Sequence, residues 1–150
     1  MYDAADECFI AQVASASVIT KDGKPFSLAR SDVSLIFTFR APNGEVAESA
    51  FEAGAAQVDN ADVDAAVDGR SYPFFAGSGA DNAGAWAKTV EDDAHFLAAA
   101  KGGKVVTIST VFPDNVKSHD TFTLQGFNEA LDNAALRCGK ADPSIRPARP

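Results

Sequence analysis

Two histidines are the side chains of this sequence best suited to metal binding or acid–base chemistry. His95 follows Glu91 and Asp92 by about one helical turn, and His119 is followed directly by Asp120. Residues four apart share one face of a helix, so Glu91 and His95 are placed to ligate one metal ion together. Carboxylates at a helix start are also common capping groups, because they complement the helix dipole. We favour the capping role and predict no metal site.

A second group of carboxylates lies between residues 59 and 68. It comprises Asp59, Asp62, Asp64 and Asp68, and Gly69 follows it. Oxygen ligands on a turn suit calcium, but the spacing does not match a calcium-binding loop that ends in a glutamate at the twelfth position. We therefore interpret this segment as an acidic surface strand.

Nucleophilic catalysis has little support in the sequence. The serine of Gly77-Ser78-Gly79 lacks the spacing of a nucleophile elbow and follows no clear buried strand. We expect no catalytic residue, no cofactor and no enzymatic activity.

Aromatic residues flank a glycine-rich segment, residues 76–84, which we predict to be a mobile loop. They are Tyr72, Phe74, Phe75 and Trp86. Aromatic side chains beside a mobile segment can anchor a partner or line a small pocket, whereas most aromatic residues belong to the core. We predict that these four residues form the binding surface, with a core role as the alternative.

The two cysteines lie near opposite ends of the chain, at Cys8 and Cys138. This arrangement is neither a redox C-x-x-C motif nor a four-ligand zinc spacing, so the cysteines form either a disulfide or two buried thiols. A bridge would close a loop of more than about 100 residues, worth about 4.7 kcal/mol in chain entropy, and requires an oxidising compartment. We predict the disulfide.

Alternating apolar residues and turn residues predict an antiparallel β protein. The predicted strands are residues 8–20, 32–40, 45–52, 104–112 and 121–124, with one or two short exposed strands within 57–72. Turn chemistry at 21–25 and 41–44 predicts two hairpins, and apolar residues on both faces of 104–112 indicate a central strand.

Two helices are predicted in the C-terminal half. The first spans residues 89–101, with Thr89 as its cap and an apolar stripe of Val90, Ala94, Leu97 and Ala98. The second begins near Gly126 and ends at Gly139, with a stripe of Phe127, Ala130, Leu131, Ala134 and Cys138. The expected fold is a β-sandwich or open barrel with two short helices, in a single domain of residues 1–139 followed by a proline-rich tail, 140–150.

Composition narrows the range of partners. The 150 residues are 46% hydrophobic and carry a net charge of −8, which is the wrong sign for binding nucleic acid or anionic lipid. No apolar run approaches the roughly 20 residues of a membrane span, and residues 1–20 lack the pattern of a signal peptide. We expect neither nucleic-acid binding nor membrane insertion; export would require that a leader had been removed.

Several short motifs resemble the invasion-associated locus B family of bacterial proteins. They are residues 8–12 (CFIAQ), 40–44 (RAPNG), 67–69 (VDG) with 73–74 (PF), and above all 122–131 (FTLQGFNEAL). The resemblance implies a β-sandwich-like domain, export to the periplasm or cell surface, and a non-enzymatic role in contacting an envelope or host component. A periplasmic small-ligand or metal-binding protein is the alternative. The family's usual cysteine pair in the middle loop has no counterpart between Phe75 and Trp86.

Overall fold

A computed structural model describes residues 7–40 and 45–137, and within them ten strands form one curled sheet. The strands are β1 (Glu7–Val13), β2 (Ala16–Lys21), β3 (Lys24–Pro25), β4 (Ser34–Arg40), β5 (Glu45–Glu52), β6 (Asp62–Val67), β7 (Arg70–Ala76), β8 (Gly84–Ala87), β9 (Val105–Phe112) and β10 (Val116–Thr123); the helices are α1 (Val90–Gly102) and α2 (Phe127–Arg137). The strand order is β1-β4-β5-β8-β7-β6-β9-β10-β2-β3, and all pairs are antiparallel. This half-barrel with two helices in the C-terminal half confirms the predicted fold class.

The segment from β1 to β2 connects the two ends of the sheet. Strand β1 pairs with β4, whereas β2 pairs with β10. At the break between them, the amide of Ala14 donates to the Val33 carbonyl and that of Ser15 donates to the Thr121 carbonyl. Because one extended segment serves both ends, the sheet must curl rather than lie flat. The predicted strand 8–20 is therefore two strands with different neighbours, and the β4–β5 hairpin is confirmed.

The inner face of the curled sheet forms the core. Alternate residues of β4, β5, β6, β7, β9 and β10 are buried there, as the period of two in a strand requires. The fully buried large side chains include Leu35, Phe51, Val63, Phe74, Val106, Ile108, Phe112 and Phe122. Strand β9 lies between β6 and β10, so the prediction of a central strand is confirmed.

Helix α1 closes the concave side of the sheet through Phe96. Its ring is completely buried and lies 5.1 Å from that of Phe74 and 6.0 Å from those of Phe37 and Tyr72. Helix α2 adds Phe127 to the same cluster, with its ring 4.9 Å from Phe37. The core is thus a set of aromatic rings held between the sheet and the two helices.

The helix cap was predicted correctly, but the apolar stripe of α1 was not. The Thr89 hydroxyl accepts the Asp92 amide at 3.0 Å. Val90 is 87% exposed and Ala94 is also exposed, whereas Phe96 and Ala100 are the buried residues. The physical reason is size, because one phenylalanine buries more apolar surface than several alanines and so determines which face of the helix meets the sheet.

The strands expected to be exposed within 57–72 are instead part of the sheet interior. Strand β6 pairs with β7 and β9, and its Val63, Ala65 and Val67 are buried. The β6–β7 hairpin turns on Asp68 and Gly69, which have φ values of 50° and 88°. Aspartate–glycine is a preferred pair for such a two-residue turn. The alternating aspartates of β6 mark its outward face, while its valines and alanines face the core.

A buried ion pair lies inside the half-barrel. Arg30 donates through both terminal nitrogens to Asp120, at 3.0 and 2.9 Å, and through Nε to the Ala53 carbonyl. The side chains are 6% and 0% exposed, respectively. The Ser118 hydroxyl also donates to Asp120, and the guanidinium lies 5.3 Å from the centre of the Phe112 ring. This arrangement ties the loop before β4 to the strand at the far end of the sheet.

Candidate functional site

The outer face of the sheet carries an open groove of about 560 Å³. We call it the outer-face groove. It is lined by Val18, Thr20, Asp62, Val63, Asp64, Pro73, Phe74, Lys88, Ser109, Thr110, Val111, Lys117, Ser118 and His119. Its polar side chains come from the outward positions of β2, β6, β9 and β10, because successive residues of a strand alternate between faces. A volume of this size falls in the range of about 300–1,000 Å³ found for ligand sites.

Opposite charges line the two sides of this groove. On one side Lys88 Nζ contacts Asp62 at 2.6 Å, leaving Asp64 without an ion pair among the described side chains. Lys117 lies on β10, on the far side of β9 from Asp64. Neighbouring strands are about 4.8 Å apart, and Lys117 is offset by two residues from His119, which lies in line with Asp64, so the Cα atoms of Asp64 and Lys117 are about 12 Å apart. The groove therefore presents both an acidic and a basic end to a ligand.

A serine–histidine pair lies on the groove floor. Ser109 Oγ and His119 Nδ1 are hydrogen-bonded at 2.8 Å across β9 and β10. Asp64 lies opposite Ser109 on β6, so the order across the sheet is carboxylate, hydroxyl, imidazole. A catalytic triad instead has the imidazole between the other two groups.

The sequence neighbours His119 and Asp120 face opposite sides of the sheet. Asp120 is buried with Arg30 inside the half-barrel, whereas His119 lines the outer-face groove. His119 and Asp120 therefore form no joint site, although they are adjacent in sequence. Sequence reasoning missed the Ser109–His119 pair because it started the last strand at Thr121, beyond the histidine. The alternation of residues in β9 indicated that Ser109 faces outward. Its partner, His119, could be found only from the register of β10 against β9.

The four aromatic residues predicted to bind a partner divide between the two faces. Phe74 is fully buried, and half-buried Tyr72 packs edge-on against Phe96, so these two side chains contribute to the core; their contact role stays a prediction. Phe75 and Trp86 lie on the outer face, opposite each other on β7 and β8, with ring centroids 6.4 Å apart. Both are half-buried. We call Phe75 and Trp86 the aromatic pair.

The Trp86 ring lies over two glycines. A Cβ at Gly77 would meet the indole at 2.9 Å, and a Cβ at Gly84 would meet it at the same distance. Both glycines are buried under the ring. Glycine in a strand often marks a place where another group approaches the backbone closely, and an aromatic ring compensates for the missing side chains. The two glycines thus allow the benzo ring of the indole to approach the backbone closely at this position.

A carboxylate lies beside the indole. If residue 84 carried a Cβ, that atom would lie 3.4 Å from Glu52 Oε2 and 2.9 Å from the nearest indole atom. Glu52 pairs with Gly84 across β5 and β8. Burial raises the pKa of Glu52 above its ordinary value, because partial loss of water disfavours the charged form. Among the side chains that the structure describes, none forms a hydrogen bond or an ion pair with this carboxylate.

The glycine-rich segment is a loop, as predicted, but it is extensively hydrogen-bonded. The buried Gln57 side chain donates to the carbonyls of Asn82 and Gly84, at 2.9 and 3.0 Å. The Gly77 amide donates to the Gly84 carbonyl, and the Asn82 side chain donates to Asp59. These bonds give the loop a defined conformation beneath the aromatic pair. The expectation of a mobile loop rested on composition alone and did not anticipate Gln57.

The carboxylates considered as metal ligands are dispersed. Asp68 accepts the amides of Lys104 and Val105 at 3.1–3.2 Å, while Asp62 binds Lys88. Within the described part of the chain, no three histidine, cysteine or carboxylate side chains come together in a way that could hold a metal ion. His95 and Glu91 are both exposed on α1.

Two predictions concern residues that the structure does not cover. Cys138 and the tail 140–150 lie outside the described residues, and the Cys8 side chain is also not described. The disulfide and the tail therefore stay predictions.

Neither α1 nor α2, the helices of the described chain, has the length and apolar character needed to span a bilayer. Comparisons with family models, with curated proteins and with solved structures gave no match.

Proposed function

We propose that this chain is a non-enzymatic bacterial protein, exported to the periplasm or secreted, that binds a protein partner in the envelope or on a host. The proposal follows the resemblance to the invasion-associated locus B family. The observation that carries it is the continuity of the aromatic pair with the outer-face groove: Phe75 of the pair lies opposite Asp62 of the groove across β7 and β6. Large half-buried aromatic residues beside a groove are typical of protein contact surfaces.

The occupant we infer is a segment of a protein partner that carries basic side chains. The chain has a net charge of −8, and both Asp64 and Glu52 face outward without an ion pair among the described residues. Complementary charge of this kind accelerates association and selects the partner. Lys88 does not oppose this, because Asp62 already holds its ammonium group, and Lys117, the basic end of the groove, lies on β10, two strands away from Asp64.

The proposal of a non-enzymatic role is supported by the geometry of the groove floor. Ser109 and His119 form a pair, but Asp64 lies on the serine side instead of the histidine side. No carboxylate within the described residues hydrogen-bonds the imidazole to orient it as a base. Hydrogen-bonded serine and histidine side chains opposite each other on neighbouring strands also serve as ordinary sheet contacts.

Site-specific photo-crosslinking tests the proposed function. A photoreactive amino acid replaces Lys117 in the groove wall or, as the control, exposed Asp132 on α2, in cells that export the protein. We expect position 117 to give one discrete adduct, whose partner is identified by mass spectrometry and binds the protein again when purified. Adding Trp86→Ala should weaken this adduct. Equal adducts from both positions, or no rebinding by the purified partner, would contradict the proposal.

A small ligand is the second candidate for the groove, favoured by its volume of about 560 Å³. Native mass spectrometry of the purified protein distinguishes the two. A bound mass of a few hundred daltons that is released on denaturation, and is lost in Lys117→Ala, would support the small-ligand alternative. If the protein instead binds a metal, the native mass of the wild type would exceed the chain mass by that of an ion, and this difference would be lost in His95→Ala.

The predicted disulfide supports export and is tested separately. Intact mass is measured after thiol alkylation under denaturing conditions, with and without prior reduction, on protein produced with an export leader. Resistance of Cys8 and Cys138 to alkylation until reduction is the expected result. Alkylation without reduction would show two free thiols and would weaken the proposal of an oxidising compartment.

A further inference from the structure

We propose that the aromatic pair and Glu52 form a receptor for one basic side chain, an arginine or lysine, of the protein partner. This inference rests on the proposed function and specifies the chemistry of its central contact. Three described side chains would make the site: the Trp86 indole, the Phe75 ring tilted at 53° to it, and the Glu52 carboxylate.

The indole is half-buried on the outer face of the sheet, so part of its surface is open to a ligand. The glycines at 77 and 84 occupy its other side, since a Cβ at either position would meet ring atoms at 2.9 Å. A tryptophan face is the best aromatic surface for a cation, and arginine is the cation that stacks on it most often. The glycines thus fix the ring in the orientation that a guanidinium or ammonium group requires.

The carboxylate supplies the opposite charge. Glu52 adjoins the indole edge at Gly84, and its described surroundings contain no cation that neutralises it. Lys88, two residues beyond Trp86, is held by Asp62 at 2.6 Å, and Arg30 is buried with Asp120 on the other side of the sheet. A partly desolvated carboxylate without a cation gains more from binding one than a fully hydrated carboxylate does.

The ring and the carboxylate together favour arginine over a neutral polar group. A guanidinium can lie flat on the indole while its edge donates two hydrogen bonds to a carboxylate. Citrulline has nearly the same shape and can still stack and donate hydrogen bonds, but it lacks the positive charge that strengthens both contacts. The neighbouring Phe75 ring shields the site from one side and strengthens the charge interaction by excluding water.

Trp86 is the single tryptophan of the sequence, so its fluorescence reports on this site alone. The experiment titrates N-acetyl-arginine amide into the full chain and follows indole emission, with N-acetyl-citrulline amide as the neutral probe. We expect a saturable change with arginine and a much weaker one with citrulline at equal concentration. An equal response to both probes would overturn the proposal.

Matched charge variants test the role of the carboxylate. Glu52→Gln keeps the shape of the side chain, whereas Glu48→Gln removes the same charge from an exposed position of the same strand. We expect Glu52→Gln to weaken arginine binding about tenfold, the usual effect of losing one charge-assisted contact. Glu48→Gln should stay within about twofold, as long-range screening predicts. Equal effects of the two variants would show that only the net charge of the protein matters for binding, and would overturn the proposed site.

The outcome is separable from that of the proposed function. If arginine fails to bind while position 117 still crosslinks an identified partner, this inference is wrong and the proposed function stands. If arginine binds at Trp86 and no partner rebinds, the receptor stands and the proposed function is wrong. Thermal unfolding of each variant, compared with wild type, verifies that a loss of binding does not come from unfolding.

Discussion

The Arg30–Asp120 pair is the most constrained polar contact of the core. Both side chains are almost completely buried, and Asp120 accepts three hydrogen bonds from Arg30 and Ser118. A buried pair of this kind adds little net stability compared with apolar residues of similar size, but an isolated buried charge is very unfavourable. The two charges are therefore strongly coupled.

Removing either partner should cost far more than removing both. We expect Arg30→Met and Asp120→Leu each to lower the free energy of unfolding by about 3–5 kcal/mol, since each leaves one buried charge unpaired. The double variant should lose much less than the sum of the two. Urea denaturation of the four proteins measures this coupling, and additive losses would show that the charges act independently.

A second buried contact at the residue scale is incomplete. Asp93, in the first turn of α1, accepts the Ser49 amide at 3.2 Å, yet Asp93 Oδ1 and Ser49 Oγ have no hydrogen-bond partner. Burial raises the pKa of Asp93 above its ordinary value, because loss of water opposes the charge; the hydrogen bond from the Ser49 amide counteracts this only in part.

Asp93→Asn should therefore stabilise the protein at neutral pH. The raised pKa means that the folded state holds the proton more tightly than the unfolded state, so ionisation of Asp93 reduces stability as pH rises through its pKa. The amide keeps an acceptor for Ser49 and adds a donor, a gain of up to about 1 kcal/mol. The gain should vanish near about pH 3, where the carboxyl is neutral in both states.

Glu91→Gln is the matched control for this variant. Glu91 is exposed in the same helical turn, where its charge favours the helix dipole. Its neutralisation should cost about 0.3–1 kcal/mol at low salt. Thermal melts of both variants between acidic and neutral pH give the comparison, and a loss of stability in Asp93→Asn at neutral pH would contradict the desolvation argument.

At the scale of elements, the junction between α1 and β9 depends on tight packing against the β6–β7 hairpin. A Cβ at Gly103 would lie 2.5 Å from Val67 Cγ1 and 3.0 Å from the Ala99 carbonyl oxygen. One residue earlier, a Cβ at Gly102 would meet nothing within 4 Å. Asp68 reinforces the junction by accepting the first amides of β9.

These two neighbouring glycines should respond oppositely to alanine. Gly103→Ala should destabilise the fold by about 1–3 kcal/mol, because the packed Val67 and the helix backbone must move. Gly102→Ala should raise stability by about 0.5–1 kcal/mol, since alanine has the higher helix propensity and the space is free. Denaturant midpoints measure both, and equal effects would show that the packing at Gly103 is not limiting.

Local patterns were sufficient for most elements, and for clear reasons. Alternation located β4, β5 and β9, and the Thr89 cap located the start of α1. Strand β8 was missed because it has four residues and one large side chain, too few for a pattern. The start of β10 was missed because Ser118 and Asp120 are polar although they face the core. Their partners lie far away in sequence, so no local signal marks them as buried.

The candidate site was only partly predictable. The sequence singled out Phe75 and Trp86 because they flank a glycine-rich segment, and both lie on the outer face of the sheet; their contact role stays a prediction. The groove could not be predicted, since it forms only where β6 lies beside β9 and β9 beside β10. Glu52 was missed for the same reason, because only the pairing of β5 with β8 brings it to the indole.

At the scale of the whole molecule, the curled sheet predicts cooperative unfolding. Strand β8, with Trp86, lies in the middle of the strand order, and the β1–β2 segment joins the two ends. Opening either end therefore exposes the common core. We expect indole fluorescence and far-ultraviolet circular dichroism to give the same denaturant midpoint, the behaviour of a single two-state domain. An earlier fluorescence transition would instead show that the central strands open independently.

The β1–β2 segment also determines the order in which the chain can fold. It is the first part of the described chain to be synthesised, yet β2 pairs with β10, which comes about a hundred residues later, Ala16 lying opposite Thr121. Contacts so distant in sequence give a high contact order and slow folding. Until β10 has emerged, the edge of β2 that pairs with it is open to other strands. A cell must therefore protect the nascent chain for most of its synthesis, and a translocation machinery that accepts only unfolded chains has the same interval in which to engage it.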